Sequence, residues 1–502
     1  MTTLAGHTDT LTRDALTVLQ PGFTGTRAPD WLLRRLGEGL ASVALFGRNV
    51  HSPAQLAALT AQLRAERDDV LVTIDEEGGD VTRLEVHTGS SFPGNHALGA
   101  VDDPALTRDV ATALGRRLAE CGVNLNWAPS ADVNSNPANP VIGVRSFGAD
   151  TALVARHTAA YVEGMQAAGV AACTKHFPGH GDTAVDSHHA LPRIDADLDT
   201  LYARELVPFR AAIAAGTRAV MTAHILVPAL DPKRPATLSH RILTGLLREE
   251  LGHDGLTVTD AMEMQAITSV YGIERGSVLA IAAGADALCV GGGLADDGTV
   301  RLLRDALVRA VRSGELSEER LADAASRVRE LARWASDQAG TRSAVGGTAR
   351  EAAGRDPGLE AARRAVRVTA GEGGGAPLAE APFVAVFAPA ANIAVGDQTP
   401  WGLATELQRA LPGTDTAAFT GLDAGPRALD AAGHRRIVAV VRDEHRHPWV
   451  SSALDALIAA RPDTVVVEMG VPQAPPRGAL HIATYGAARV CGTAAAEVLT
   501  GP

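Results

Sequence analysis

Residues 171–188 read Ala171-Ala-Cys-Thr-Lys175-His176-Phe-Pro-Gly-His180-Gly-Asp182-Thr-Ala-Val-Asp186-Ser-His188. The first part is a short apolar run of strand character. The second packs ammonium, imidazole, carboxylate and glycine too densely for core packing, so a strand here runs straight into an active-site loop.

Outward from that stretch the same pattern repeats. Apolar, β-prone runs occur at Leu16-Gly22, Val43-Gly47, Val70-Asp75, Val123-Ser130, Ala171-His176, Ala219-His224, Leu256-Asp260 and Ala287-Gly291. Between them lie amphipathic stretches such as Ser52-Arg67, Ala105-Cys121, Thr151-Ala168, Leu198-Ala215 and Arg275-Ala283, often opened by Ser, Thr or Asp. Strand-helix alternation repeated about eight times over roughly 300 residues predicts a (β/α)8 TIM-type barrel. Almost every run also ends in chemistry: Asp75-Glu-Glu-Gly-Gly, Asp132 with Asn134, Lys175-His176, His224 and Asp260. Such barrels build their active sites from the loops at the C-terminal strand ends.

Composition narrows the chemistry. The chain has 46 basic residues, yet lysine occurs only at Lys175 and Lys233, so position 175 selects a compact ammonium over a forked guanidinium. A net charge of −12 argues against a nucleic-acid partner, which needs concentrated positive surface. No apolar run is long enough to span a bilayer and the N-terminus lacks a signal-peptide pattern, so the expectation is a cytoplasmic protein without a membrane partner. Cys121, Cys173, Cys289 and Cys491 lie far apart beside apolar segments, as buried thiols in a reducing compartment do, and no Cys-x-x-Cys metal spacing is present.

At 502 residues and 46% hydrophobic, the chain exceeds a single core. The barrel is assigned to residues 1–335. A Gly-, Ala-, Ser- and Arg-rich linker follows over 336–380, and residues 381–502 alternate again as a smaller α/β sandwich domain. That domain's strands are read at Phe383-Pro389, Ile437-Arg442, Thr464-Met469 and Ile482-Tyr485, and its helices near Trp401-Ala410 and at Val450-Ala460 and Arg489-Leu499. His434, His445 and His447 read as surface or structural residues.

Taken together, Ile74-Asp75-Glu-Glu-Gly-Gly, Asn139-Pro-Val-Ile-Gly-x-Arg145-Ser-Phe-Gly, the Lys175 to His188 loop and Val258-Thr-Asp260-Ala-Met-Glu-Met resemble glycoside hydrolase family 3, in its NagZ-type β-N-acetylglucosaminidase subgroup. The resemblance runs from about Gln20 to Gly292. It implies Asp260 as the nucleophile of a retaining mechanism, His188 as acid/base and Asp186 as its dyad partner. It further implies Asp75, Arg83, Arg145, Lys175 and His176 as substrate-binding residues, with His224 and Met262 as additional candidates, and neither metal nor organic cofactor. A histidine suits the proton transfers because imidazole titrates near the operating pH, and a carboxylate two residues away in an extended loop can orient it. Where the family often has arginine after Glu-Glu-Gly-Gly, this chain has Asp80, which puts the edge of the sugar site in question.

The expected substrate is a small GlcNAc-containing carbohydrate, a peptidoglycan fragment or chitooligosaccharide. Three alternatives stay open: a phosphorylase or β-glucosidase of the same family, a metal-dependent barrel hydrolase using His176, His180, His188 and His189, and a non-catalytic sugar sensor. The sequence is silent on oligomeric state.

Overall fold

In a computed structural model of the chain, which describes residues 2–185, 191–345, 356–371, 377–389, 395–396 and 398–501, every one of the eight apolar runs contains a strand. These are β1 (Leu19–Pro21), β2 (Ser42–Leu45), β3 (Leu71–Ile74), β4 (Leu125–Asn126), β5 (Ala171–Phe177), β6 (Ala219–Thr222), β7 (Leu256–Val258) and β8 (Leu288–Val290). All pair in parallel. Strands β2 to β7 follow one another in chain order, β1 pairs with β8, and a parallel bridge from Val258 to Ala287 carries the sheet on from β7. Every strand residue is buried, which is why the runs read as continuous apolar segments instead of alternating ones. The result is an α/β fold with a barrel-like first unit.

The crossover helices start where the sequence provides caps. Ser52 accepts the Gln55 amide at the head of Pro53–Glu66, and Asp150 accepts the Leu153 amide at the head of Thr151–Ala167. The stretch Leu198-Ala215 does not form one regular helix. It opens with a turn at Leu198–Thr200, widens into a π-type segment over Leu201–Glu205 and continues as Leu206–Ala214.

One end of the barrel-like unit is filled by the long helix Glu318–Val345. Its Val328, Leu331, Ala332 and Ala335, spaced as one helical face, join a core with Ala41, Leu71, Ala171, Ala219, Leu256 and Ala287, all at or near strand starts. Arg218 stacks over Trp334 at 4.9 Å. Asp286, fully buried just before β8, ties the helix down: it accepts Arg320 at 2.6 Å, the Thr257 amide at 2.8 Å and the Arg248 guanidinium. Asp286→Asn keeps the shape but takes the carboxylate partner from the part-buried Arg248 guanidinium and leaves Arg320 to Asp323 alone, so it should destabilise this unit by about 3 kcal/mol. Urea denaturation is the check, and an unchanged midpoint would refute the anchor.

The chain forms two compact units. The first comprises Met1–Glu76, Thr107–Val141 and Ala149–Ala353, and the second Glu77–Leu106, Ile142–Gly148 and Gly354–Pro502. Two excursions at strand ends of the first unit therefore pack with the C-terminal residues, which the sequence boundaries 1–335 and 381–502 do not anticipate. The stretch 336–380, read as a linker, carries the end of helix Glu318–Val345, helix Pro357–Ala365 and strand β9 (Arg367–Ala370). Its alanines and arginines are good helix formers.

The remaining strands are β10 (Phe383–Phe387), β11 (Asp415–Phe419), β12 (Ile437–Val441), β13 (Val465–Glu468) and β14 (Leu480–Ala483). They form a six-stranded sheet in the order β11-β10-β12-β13-β14-β9, with only β9 antiparallel. Alternate residues feed two cores. Val384, Val438, Val440, Val465 and Ile482 pack with Leu403, Leu407 and the helix Arg489–Thr500 on one face, and Phe383, Ala385, Ile437 and Ala439 with Ala428, Leu454 and Leu457 on the other.

Candidate active site

Chemistry gathers at the C-terminal strand ends of the first unit. Asp75 directly follows β3, and its Oδ1 accepts a hydrogen bond from Lys175 Nζ of β5 at 2.5 Å, with the side chains 18% and 3% exposed. Residues 100 apart in sequence thus form a nearly enclosed pair. Such a pair presents a fixed donor and a fixed acceptor, the complement of vicinal hydroxyls. The Asp75 end is steadied by Asn126 at the end of β4, which exchanges hydrogen bonds with the Glu76 backbone at 2.8 and 3.0 Å.

Next along β5, His176 Nδ1 lies 2.7 Å from Asp132 Oδ2. Asp132 is fully buried and also accepts the Ser130 hydroxyl at 2.9 Å and the backbone amides of His176 at 3.3 Å and His180 at 2.7 Å. Burial works to raise its pKa, but attraction to His176 and the hydrogen bond from that ring outweigh it. With His180 adding to the effect, the carboxyl is held well below the ordinary carboxylate range. The loop beyond is equally fixed. Asn139 Nδ2 donates to the carbonyls of His180 and Gly181, Thr183 Oγ1 meets His180 Nδ1 at 2.8 Å, and a Cβ on Gly181 would sit 1.7 Å from the Val133 carbonyl oxygen. Only glycine permits that approach. His180 is pushed down to about 4, chiefly by burial and then by His176.

Asp260 follows β7. Its Oδ1 accepts the Ala261 amide at 2.8 Å, and the Ala261 carbonyl in turn accepts His224 Nε2 at 3.0 Å. Because a carbonyl only accepts, His224 carries a proton on Nε2, while its Nδ1 meets Thr237 Oγ1 at 2.8 Å. His224 is fully buried and so serves to hold the Asp260 loop. Met262 is also fully buried, with its methyl 3.3 Å from the Cβ position of Gly276 on helix Ile273–Ala283, a packing place.

One thiol feels the charges of both Asp75 and Asp260. Cys289 on β8 is raised well above its ordinary value, first by burial and then by the negative charges of Glu263, Asp260 and Asp75. The carboxylates that follow β3 and β7 both stand at C-terminal strand ends of the barrel-like unit. His180 likewise feels Asp132 and Asp260.

The two arginine candidates belong to the second unit. Arg145 is buried, and its guanidinium grips Glu77 through Nε at 3.0 Å and Nη2 at 2.6 Å, while Asn95 donates to its carbonyl at 2.8 Å. Arg83 is half-buried in the segment 77–106. Asp80, the departure from the family pattern, has a structural occupation in this unit: it is buried, pairs with Arg442 and accepts the Ala487 amide at 2.8 Å just before helix Arg489–Thr500. Introducing the family's more common residue, Asp80→Arg, would set two cations face to face. It should cost about 3 kcal/mol or more, seen as an early unfolding step by calorimetry. Normal stability would show that the pair is dispensable.

Asp186 and His188 lie outside the described residues. The contribution that the sequence left unassigned is that of Asp132: a polar residue at a strand end was visible, but its partners are 44 and 48 residues away. Among the described residues, no helix is long and apolar enough to cross a membrane, and the four cysteines are buried and unbridged.

Residues 32–331 match the family model of the glycosyl hydrolase family 3 N terminal domain. Over 343 residues the chain is 36% identical to the beta-hexosaminidase A of Pseudoalteromonas piscicida, an alignment that takes in 64% of this chain and 56% of that protein. It therefore spans little more than half the length of that relative. A beta-hexosaminidase of Stenotrophomonas maltophilia (strain R551-3) is 38% identical over 268 residues, 52% of this chain and 78% of that one. Among solved structures, a family 3 beta-N-acetylglucosaminidase from Paenibacillus sp. str. FPU-7 superposes with a TM-score of 0.85 at 36% identity, covering 98% of this chain and 96% of that one.

Proposed function

The chain belongs to glycoside hydrolase family 3, and from that premise we propose that it is an exo-acting, retaining β-N-acetylglucosaminidase built on a (β/α)8 barrel with a C-terminal α/β sandwich domain. The observation that carries the reading is that the Asp75–Lys175 pair, the Asp132–His176 pair and Asp260 all stand at or just beyond the C-terminal strand ends of one unit.

In this reading the terminal sugar is held by Asp75, Lys175 and His176, with Arg83 and Arg145 also assigned to it from the motifs. Asp260 attacks the anomeric carbon as the glycosidic bond breaks, and a proton from His188, oriented by Asp186, goes to the leaving oxygen. A covalent glycosyl-aspartate results. His188, now neutral, takes a proton from water as the water oxygen attacks the same carbon, and Asp260 departs as carboxylate with the β-configuration restored. The substrates that fit are peptidoglycan fragments and chitooligosaccharides with a terminal β-linked GlcNAc.

The test is the initial rate on 4-nitrophenyl N-acetyl-β-glucosaminide in phosphate-free buffer, beside the matching β-glucoside. Turnover confined to the acetamido sugar supports the proposal, and preference for the glucoside or silence on both overturns it. His188→Ala should lose far more on a disaccharide than on the activated aryl glycoside, whose leaving group needs little acid assistance. Equal losses would remove His188 from the acid/base role.

A further inference from the structure

The segment that carries Asp260 is tied to the neighbouring chain after β8 by side chains as well as by backbone. Thr259 donates its amide to the Ala287 carbonyl at 3.0 Å and accepts the Cys289 amide on Oγ1 at 3.1 Å, and the Met262 amide donates to the Cys289 carbonyl at 3.0 Å. The next tie is made by a carboxylate that the mechanism above does not use. Glu263 Oε1 accepts the amides of Gly291 at 2.8 Å and Gly293 at 3.2 Å. Amides so close in one turn form a concave anion seat, which a single carboxylate oxygen fills. Asp260 therefore lies between anchored residues, Thr259 before it and Met262 and Glu263 after it.

The turn that Glu263 holds is itself fixed from its other side. Gly291 has φ at +133°, and a Cβ there would lie 2.2 Å from the Gly22 nitrogen, whose amide donates to the Val290 carbonyl at 2.7 Å. Only glycine lets the end of β8 press against the end of β1 in this way. Arg48, just beyond β2, grips the carbonyls: it donates through Nη2 to Gly291, through Nη1 to Gly292 at 3.1 Å and through Nε to Phe23 at 3.0 Å, with its guanidinium 4.5 Å from the centre of the Phe46 ring. Glu263 is half-buried, and its Oε2 is buried and, among the described residues, has no hydrogen-bond partner. An orphaned carboxylate oxygen costs stability, so packing alone does not account for this residue. What it supplies is the bonded oxygen, Oε1, and the reach that brings it to the turn.

We propose that Glu263 is a positioning residue for the nucleophile: by hanging the segment 259–263 on the Gly291–Gly293 turn, it fixes where the Asp260 carboxylate meets the anomeric carbon. The proposal rests on the reading of Asp260 as the nucleophile. Glu263 acts through the backbone of Ala261 and Met262, whereas Asp75 and Lys175, assigned to the sugar, belong to β3 and β5 and have ties of their own. A displacement of about an ångström at an attacking atom costs up to about a hundredfold in rate, and here it would leave sugar binding in place.

The test compares Glu263→Gln, Glu263→Asp and Glu263→Ala in the full chain, with 4-nitrophenyl N-acetyl-β-glucosaminide and N,N′-diacetylchitobiose as substrates. Glutamine keeps an acceptor oxygen at the same reach without the charge, whereas aspartate keeps the charge and falls one methylene short. The expected result is a kcat loss of about tenfold or more for Glu263→Asp and Glu263→Ala, similar on both substrates, with KM within about threefold of wild type and with Glu263→Gln recovering most of the loss. Tm is measured beside the rates, which are taken well below the lowest Tm. A lowered Tm with kcat unchanged in Glu263→Asp and Glu263→Ala shows a merely structural residue and overturns the proposal. So does the opposite order, activity kept by Glu263→Asp and lost by Glu263→Gln, because that order follows charge. Asp260→Asn is run alongside. Its inactivity together with wild-type kcat in Glu263→Ala overturns the anchor alone, while activity retained by Asp260→Asn overturns the nucleophile reading and the anchor with it.

Discussion

Replacing Asp260 by Asn is expected to lower kcat/KM on every glycoside by about a thousandfold or more, with the fold intact. The argument begins with the backbone. Three backbone groups of the loop are pinned: the Ala261 carbonyl by His224, the Ala261 amide by the Asp260 carboxylate itself, and the Met262 amide by the Cys289 carbonyl at 3.0 Å. The carboxylate is therefore held before substrate arrives, and little reorganisation is left for the attack. Asparagine preserves the volume and can still accept the Ala261 amide through its carbonyl oxygen, so stability should change by less than about 1 kcal/mol. What it lacks is a nucleophilic, ionised oxygen, and the first bond to the anomeric carbon cannot form. Asp260→Gly carries the test further. With azide supplied, the anion can enter the vacated face, displace the aglycone and yield a β-glycoside's inverted product, the α-glycosyl azide. Retention of more than about a tenth of wild-type activity by Asp260→Asn, or a β-configured azide product, would remove Asp260 from the nucleophile's role.

Much of this geometry was open to inspection in the sequence because burial on both faces writes itself plainly. Strands β1 to β8 are buried end to end and mostly apolar, so the charged and polar residues at their C-terminal ends stand out against them. Edge strands write themselves faintly. The four residues of β9 are all exposed, and β11 reads Asp-Thr-Ala-Ala-Phe with only its Phe419 buried, so neither rises above the surrounding loops. The helix expected over Leu198-Ala215 was right in extent but not in form, since a π-type widening depends on what lies opposite, here the Gly179 backbone over Glu205. Long-range partners are hidden for the same reason. Nothing local to Asp80 announces Arg442, 362 residues later, and the unit boundaries it helps to fix cut across the chain order. Asp75, Lys175 and Asp260 could be picked out individually because each breaks an apolar run, whereas their pairing had to come from the fold.

Asp132→Asn is expected to cost about a hundredfold or more in kcat/KM although Asp132 need not touch the sugar. Four donors surround its two oxygens: the Ser130 hydroxyl, His176 Nδ1 and the amides of His176 and His180. A carboxylate satisfies all of them, while an amide turns one acceptor into a donor. Placed toward His176, the new NH2 forces the imidazole to its other tautomer, and placed the other way it confronts two backbone amides. Either outcome rotates or reprotonates the ring assigned to sugar binding, and residues that orient a functional imidazole in this way are worth about 10²- to 10⁴-fold. The stability signature is separate and has a definite sign. Because the folded carboxyl is held below its ordinary range, its stabilising contribution is fully present above the unfolded value near about 3.9 and is lost as pH falls through the depressed folded value. Wild type and Asp132→Asn should therefore differ by a constant amount, about 2 kcal/mol or more, between roughly pH 5 and 8, and approach each other below about pH 4. Urea midpoints across that range, set beside kcat/KM at neutral pH, separate the two effects. Full activity with a pH-independent stability gap would mean that the His176 ring is held by something other than this carboxylate.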